Sequence, residues 1–305
     1  MEQATWPDRP LHLAIGIFDG VHLGHQAVIE AAVQSARRSG GVAAVLTFSP
    51  HPSAVLRPDQ RTRLLLPPPA RAHVLRRLGV ETIVVQAFTP EFARMAASEF
   101  LPWLKHHAPR LAGVYVGDNW RFGRGRDGDV VFLVGEGRKH AVHVFSAPRV
   151  NLDGEPISST RIRRLLEDGD IASANALLGY SYFALGRVEE GKRLGRTLGF
   201  PTLNLSWAPE MPPRQGVYVV RVSGPKAPAG LPGVANYGLR PTVETATAPR
   251  LETHVLAECP FETGDEIVVE WLRFLRPEKR FNSVAELTAQ IGQDRDAARA
   301  DFSLR

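Results

Sequence analysis

Apolar residues in the first half of the chain come in short blocks separated by longer amphipathic stretches. Five blocks read as strands, at residues 11–17, 42–48, 82–86, 113–116 and 142–145. The intervening and following stretches read as helices at 26–39, 70–78, 91–105, 160–167 and 171–178. Short apolar strands spaced by helices predict a parallel sheet covered on both faces. Right-handed crossovers then set the loops that follow the strands along one edge, where ligands bind.

Near Tyr180 the pattern changes. Strand-like segments dominate from there, at 182–188, 216–222, 233–237, 252–256 and 266–274, and glycine and proline punctuate them at Pro209, Pro212-Pro213 and between Pro225 and Gly230. Short strands divided by turn residues predict a small antiparallel barrel. One helix, 283–295, closes the chain. The fold class is therefore α/β, a parallel-sheet domain over 1–181 followed by a barrel domain over 182–305 with a terminal helix.

Composition changes this picture little. The 305 residues suffice for two ordinary domains, and the net charge of +5, from 37 Lys and Arg against 32 Asp and Glu, suits anionic small molecules as well as nucleic acid. The single cysteine, Cys259, excludes an internal disulfide and a cysteine-cluster zinc site. Residues 1–10 lack the apolar core of a signal peptide, and no apolar run nears the roughly 18 residues of a spanning helix, so the cytoplasm is the expected location.

The chemistry concentrates in the run Gly16-Ile17-Phe18-Asp19-Gly20-Val21-His22-Leu23-Gly24-His25. It joins the first strand to the first helix, and its glycines let the backbone and a helix N-terminus approach phosphates. His22 and His25 are three apart, so both rings can face one ligand and donate to phosphate oxygens, more strongly when protonated. The same pair would serve equally as solvated or capping histidines. Two later segments favour the phosphate reading. Val116-Gly117-Asp118-Asn119-Trp120-Arg121-Phe122-Gly123 follows a strand, and Ile157-Ser158-Ser159-Thr160-Arg161-Ile162-Arg163 opens a helix. There Ser159 as a cap, with Arg161 and Arg163, would make an anion site.

These runs, with Thr47-Phe48-Ser49-Pro50-His51-Pro52, resemble the first domain of the bacterial bifunctional riboflavin kinase/FMN adenylyltransferase family, or FAD synthetases, and they fall in that family's order. The resemblance implies a Rossmann-like nucleotidylyltransferase domain that transfers AMP from ATP to the phosphate of FMN. It implies that His22 and His25 stabilise charge on the ATP phosphates, with Gly16, Phe18, Asp19 and Gly24 at the nucleotide. Ser159, Thr160 and Arg163 would hold the departing pyrophosphate. Asp118 and Asn119 would contact nucleotide or flavin, and Phe48, Pro50 and His51 would line the flavin pocket. Phe48 is equally suited to stacking and to plain core packing.

In the second domain the informative run is Gly195-Arg196-Thr197-Leu198-Gly199-Phe200-Pro201-Thr202-Leu203-Asn204-Leu205. Thr202 and Asn204 are two apart, so an extended chain points both to one side, and a hydroxyl and an amide oxygen are hard ligands suited to Mg²⁺ beside ATP. A turn followed by a strand with two solvated polar residues would read the same way locally. The run resembles the Pro-Thr-x-Asn motif of the riboflavin kinase barrel, as do Gly216-Val217-Tyr218, Ala235-Asn236-Tyr237-Gly238-Leu239-Arg240-Pro241-Thr242, Leu251-Glu252-Thr253-His254 and Leu275-Arg276 near Phe281. By that resemblance Glu252 is the general base for the ribityl 5′-hydroxyl of riboflavin, Thr202 and Asn204 hold Mg²⁺, Gly191, Gly199 and Pro201 lie at the nucleotide, and Arg276 aids flavin or phosphate binding. Two positions depart from the family pattern: Glu190-Gly191 stands where His-Gly is common, and Leu194 where a basic residue is frequent. An added acid near phosphates would weaken nucleotide affinity unless it faces away or meets metal.

The cofactors and partners expected are thus Mg²⁺, ATP, riboflavin, FMN and FAD, with no nucleic acid and no membrane; self-association stays open. The six arginines between Arg57 and Arg77 are expected on a solvated helix and loop, since aromatic residues are not interleaved among them. His106-His107 is expected to be solvated, and His140 with His143 lacks zinc-ligand spacing. A nucleotidylyltransferase for another acceptor would leave the barrel as an accessory. A nucleic-acid-binding protein would leave the paired histidines, Thr202, Asn204 and Glu252 without a role.

Overall fold

The computed structural model describes residues 6, 8–191, 199–238 and 249–303. Positions 192–198, with Leu194 and Gly195 to Leu198, and positions 239–248, with Leu239 to Thr242, lie outside the described residues. The chain divides into two compact units, Met1–Ser159 and Thr160–Arg305. The expected boundary at 181/182 comes later because helices α7 (Ser159–Asp168) and α8 (Ile171–Leu178) follow the division.

In the first unit, strands β1 (Leu11–Ile15), β2 (Val42–Ser49), β3 (Thr82–Ala87), β4 (Leu111–Gly117) and β5 (His143–Ala147) form one parallel sheet in the order β3-β2-β1-β4-β5. β1 is buried along its whole length, as a central strand covered on both faces must be. Helix α1 (Leu23–Ser39) buries Val28, Ile29, Ala32, Val33 and Ala36 and ends at Gly40 in the left-handed conformation. It begins three residues earlier than its apolar pattern predicts, because His22 caps it. The chain leaves β1 towards β2 on one side and later enters β4 on the other, so the strand order reverses between β1 and β4. Ligands of open α/β sheets bind at such a crevice, beyond the carboxyl ends of the strands.

The remaining helices are α2 (Pro52–Leu56), α3 (Pro68–Arg77), α4 (Pro90–Ala93), α5 (Ala97–His107) and α6 (Val130–Lys139), and a short hairpin pairs β6 (Asn151–Leu152) with β7 (Glu155–Pro156). The helix expected at 91–105 is two. Thr89 caps the first by accepting from the Phe92 N–H, and Glu99 reaches back to the Ala96 N–H at 2.8 Å to start the second. Met95 falls in the break, and its carbonyl accepts from Arg124 instead. α6 was not legible because Gly135 and Gly137 depress helix propensity; Asp129 caps it through the Phe132 N–H at 2.8 Å.

In the second unit, β8 (Phe183–Glu189), β9 (Leu203–Leu205), β10 (Gly216–Gly224), β11 (Ala227–Gly238), β12 (Arg250–Val255) and β13 (Glu266–Arg276) close into a barrel ordered β10-β11-β12-β9-β8-β13. Trp271, Tyr182, Tyr218 and Tyr237 fill its interior, with Trp207 against Trp271 and Tyr237. Asn175 of α8 ties to this barrel twice, donating to the Trp271 carbonyl at 2.8 Å and accepting from the Tyr182 N–H at 2.7 Å. The terminal helix α9 (Val284–Ser303) runs eight residues past its expected end. Among the described residues no helix is long and apolar enough to cross a membrane.

Candidate active sites

The turn after β1 is strained and held from several sides. Phe18 and Val21 take φ values of 51° and 39°, a region costly for residues with a Cβ. The Ile17 carbonyl accepts from Thr47 Oγ1 and from Arg71 Nη1, each at 3.0 Å. Asp19 Oδ1 accepts from the Leu65 N–H at 2.8 Å, and the Asp19 carbonyl accepts from Ser159 Oγ at 2.9 Å. Ser159 is thus the first residue of α7 with its hydroxyl turned onto the β1 turn, where the sequence suggested a cap.

The two histidines stack on each other, ring centroids 3.6 Å apart and planes 16° from parallel, and Phe18 meets His25 edge-on at 5.4 Å. Gly16 and Gly24 leave room for this: a Cβ on Gly16 would lie 3.0 Å from the Phe18 ring, and one on Gly24 3.3 Å from the His22 ring, so either ring would have to give by a few tenths of an ångström. His22 Nδ1 accepts from the His25 N–H at 3.3 Å. In a neutral ring the proton then sits on Nε2, which is left as the donor. His25 Nδ1 is buried without a hydrogen-bond partner among the described residues.

Burial pushes the His22 pKa down to about 4, and burial, then His22, then Arg71 push His25 well below the usual value. Both rings are therefore neutral near pH 7, not the cations that would bind phosphate most strongly. A bound phosphate would oppose this shift by favouring the charged form.

Around the same sheet edge, Asp118 and Asn119 follow β4 and are exposed, with Asp118 Oδ1 3.4 Å from Arg149 Nε. Pro50 and His51 follow β2; His51 Nδ1 caps α2 by accepting from the Ser53 N–H at 3.1 Å. Phe48 is 9% exposed and packs against Phe88 and Phe92. Thr160 and Arg163 follow Ser159 along α7.

Sequence reasoning missed Arg71. It lies among the arginines expected in solvent, yet it is 3% exposed. Burial lowers its pKa while the charge of Asp19 raises it. Local sequence carries no signal for this beyond the apolar Ala70, Val74 and Leu75 that make one face of α3 a core face.

In the barrel, Asn204 of β9 pairs directly with Glu252 of β12 on one side and with Glu189 of β8 on the other. Directly opposed residues in antiparallel strands present their side chains on one face. Asn236 of β11 continues the row next to Glu252. The interior row beside it, Val188, Leu205, Leu251 and Tyr237, is buried, so Glu189, Asn204, Glu252 and Asn236 lie on the outer face. Asn204 Oδ1 is buried there without a hydrogen-bond partner among the described residues. Gly191 lies against the Asn204 amide.

Thr202 precedes β9 by one residue, and the Pro201 carbonyl before it accepts from His254 Nδ1 at 2.8 Å. His254 and Glu189 were not expected at the site; the period-two spacing of Glu252 and His254 on one strand face was the available signal. Gly199 adopts φ 82°. The Arg276 guanidinium grips Asp294 of α9, Nε to Oδ1 at 2.9 Å and Nη2 to Oδ2 at 2.7 Å.

Comparison with known proteins agrees with this two-part arrangement. The sequence model of the FAD synthetase family matches residues 5–161, and that of the riboflavin kinase family matches residues 178–302. Proteins described as bifunctional riboflavin kinase/FMN adenylyltransferase, from Escherichia coli strain K12 and Listeria monocytogenes, are each 36% identical over 98% of this chain and 95% and 94% of their own. One from Bacillus subtilis is 34% identical over 95% of this chain and 92% of its own. A crystal structure described as a macrolide-efflux protein from Streptococcus pneumoniae superposes with a TM-score of 0.83 at 29% identity, covering 97% of this chain and 96% of that one.

Proposed function

The chain belongs to the bifunctional riboflavin kinase/FMN adenylyltransferase family, and from that premise we propose which of its residues carry the two reactions. The enzyme makes FMN from riboflavin and ATP, then FAD from FMN and a second ATP with release of pyrophosphate, the kinase in the C-terminal half and the adenylyltransferase in the N-terminal half. We set the functional halves at 1–181 and 182–305.

For FMN formation, Glu252 accepts the proton of the ribityl 5′-hydroxyl as that oxygen attacks the γ-phosphorus of ATP, and ADP leaves. The observation that carries this reading is the direct cross-strand pairing of Asn204 with Glu252, which sets a neutral oxygen ligand beside the proposed base. Mg²⁺ fits the donor set, since Asn204 Oδ1 is a buried oxygen without a hydrogen-bond partner among the described residues and Thr202 supplies a hydroxyl two residues away. Bound there, the ion would offset charge on the phosphates of ATP. Gly191, Gly199 and Pro201 line the nucleotide side. Arg276 contributes by holding the terminal helix rather than by a free guanidinium, consistent with its paired state.

For FAD formation, a phosphate oxygen of FMN attacks the α-phosphorus of ATP in line, with no protein nucleophile required. His22 donates from Nε2 and His25 from a ring nitrogen to the charge that develops on the phosphates. Gly16, Phe18, Asp19 and Gly24 shape the turn that presents them. Ser159, Thr160 and Arg163 take the pyrophosphate end, and Asp118, Asn119, Pro50 and His51 face the nucleotide and flavin. The partners needed are small molecules only.

The test is separability. Glu252→Gln is expected to abolish riboflavin phosphorylation while adenylylation of supplied FMN survives, and His25→Ala the reverse, both read by chromatography of flavin products. Loss of both activities by either variant, in protein that remains folded, would refute the two-site assignment.

A further inference from the structure

Arg71 combines three properties that an ordinary core residue does not need. It is a cation at 3% exposure, it donates to a carbonyl in the turn that carries the histidines, and its charge bears on both Asp19 and His25. Burying a guanidinium is expensive unless its surroundings compensate it. An apolar residue of similar size on α3 would fill the space between Val74, Leu75 and Ala70 without that cost.

What the guanidinium supplies is a donor and a charge at one point. The Ile17 carbonyl takes two hydrogen bonds, from Thr47 and Arg71, immediately before Phe18 at φ 51°. Backbone in that region persists only where its surroundings over-determine it. Beyond it, the Asp19 carboxylate is held by the Leu65 N–H, so the turn is clamped on both sides of Phe18. Phe18 in turn meets the His25 ring edge-on, which makes the clamp continuous with the imidazole pair.

We propose that Arg71 is a positioning residue for adenylyl transfer, holding the strained turn from Ile17 to His22 so that His22 and His25 stay stacked at the sheet edge. It touches neither ATP nor FMN. The inference rests on the reading of His22 and His25 as the phosphate-handling pair.

Among the described residues, the charged and titratable groups that shift His25 are His22 beside it and Arg71 on α3, with Asp19 acting on Arg71. Removing the Arg71 charge removes one cause that keeps His25 neutral, so protonation of His25 moves towards neutral pH. A residue that only filled space would leave that titration where it is.

The experiment uses the full chain with Arg71→Met and Arg71→Lys, measuring FMN adenylylation against pH, and riboflavin phosphorylation in parallel. Arg71→Met is expected to lower the adenylylation kcat by about 10²-fold, the scale of a misplacement near 1 Å, and to move upward the pH at which its profile reports His25 protonation. Arg71→Lys restores the charge without the planar fork, so the His25 titration returns to that of the parent enzyme while kcat stays about tenfold low. A parent-like kcat and profile in Arg71→Met overturns the proposal. If Arg71→Met does not fold, Arg71→Lys decides alone, and an undiminished kcat overturns it. His25→Ala run beside them separates the two readings: if that variant keeps adenylylation, the histidine assignment fails; if it loses adenylylation while both Arg71 variants keep it, only the Arg71 inference fails.

Discussion

Replacing Gly191 by alanine tests the kinase site through a single methyl group. A Cβ at Gly191 would lie 2.1 Å from Asn204 Nδ2, 2.7 Å from Cγ and 3.0 Å from Oδ1. Ordinary contact begins at 3.4 Å, so the amide nitrogen must retreat by at least 1.3 Å. The neighbour is the end of a side chain and not backbone, and Gly191 has no left-handed φ, so the barrel accommodates the change at a cost within about 1 kcal/mol. Asn204, however, cannot keep Oδ1 where it is. A shift of about 1 Å in a group that positions reactants costs about 10²-fold in rate. Gly191→Ala is therefore expected to lower the riboflavin phosphorylation kcat by about that factor and to raise the Mg²⁺ concentration needed for half-maximal rate. Adenylylation of supplied FMN and the urea midpoint should stay near those of the parent enzyme. The assay is steady-state phosphorylation across a Mg²⁺ titration, with FMN separated from riboflavin by chromatography. Parent-like kcat and Mg²⁺ dependence would refute the placement of Asn204 in the catalytic machinery.

Two further predictions concern stability. His22 is neutral when folded and has its pKa lowered from 6.5 to about 4, so the unfolded chain binds a proton that the folded chain does not between those values. Stability is then highest above pH 6.5 and falls as pH drops towards 4, by at most about 3 kcal/mol from this residue, readable as a falling urea midpoint that His22→Gln flattens. Asp294→Ala leaves the Arg276 guanidinium without its bidentate partner in a largely buried place, and is expected to destabilise the second unit by about 3 kcal/mol in thermal unfolding.

Much of this enzyme was legible in its sequence because the relevant signals are local. The apolar blocks predicted all five parallel strands and most of the barrel; the central strands β1, β2 and β4 are buried nearly throughout, and the edge strands β3 and β5 are only partly buried. The glycine-rich turn around His22 and the Pro-Thr-x-Asn run were legible because their geometry is built from neighbours in the chain. Errors arose where a local cap overrode propensity and periodicity. α6 carries two glycines yet forms because Asp129 caps it. The helix expected at 91–105 breaks where Glu99 finds the Ala96 N–H.

The sequence by itself determined the two-part architecture, the order of the motifs and which residue types are available at each turn. Only the tertiary structure decided the state and the neighbours of those residues. His22 and His25 are three apart in any reading, but their neutrality follows from burial, which depends on segments as distant as α3. Asn204 and Glu252 are 48 positions apart and meet through strand register. Arg71 looks like its solvated neighbours along the chain and becomes a buried clamp only when α3 docks beneath the β1 turn. Arg276 likewise carries a free charge in the sequence and a bound one in the fold, because Asp294 reaches it from the terminal helix. Desolvation and register arise from contacts between residues far apart in the chain, and no local pattern encodes them.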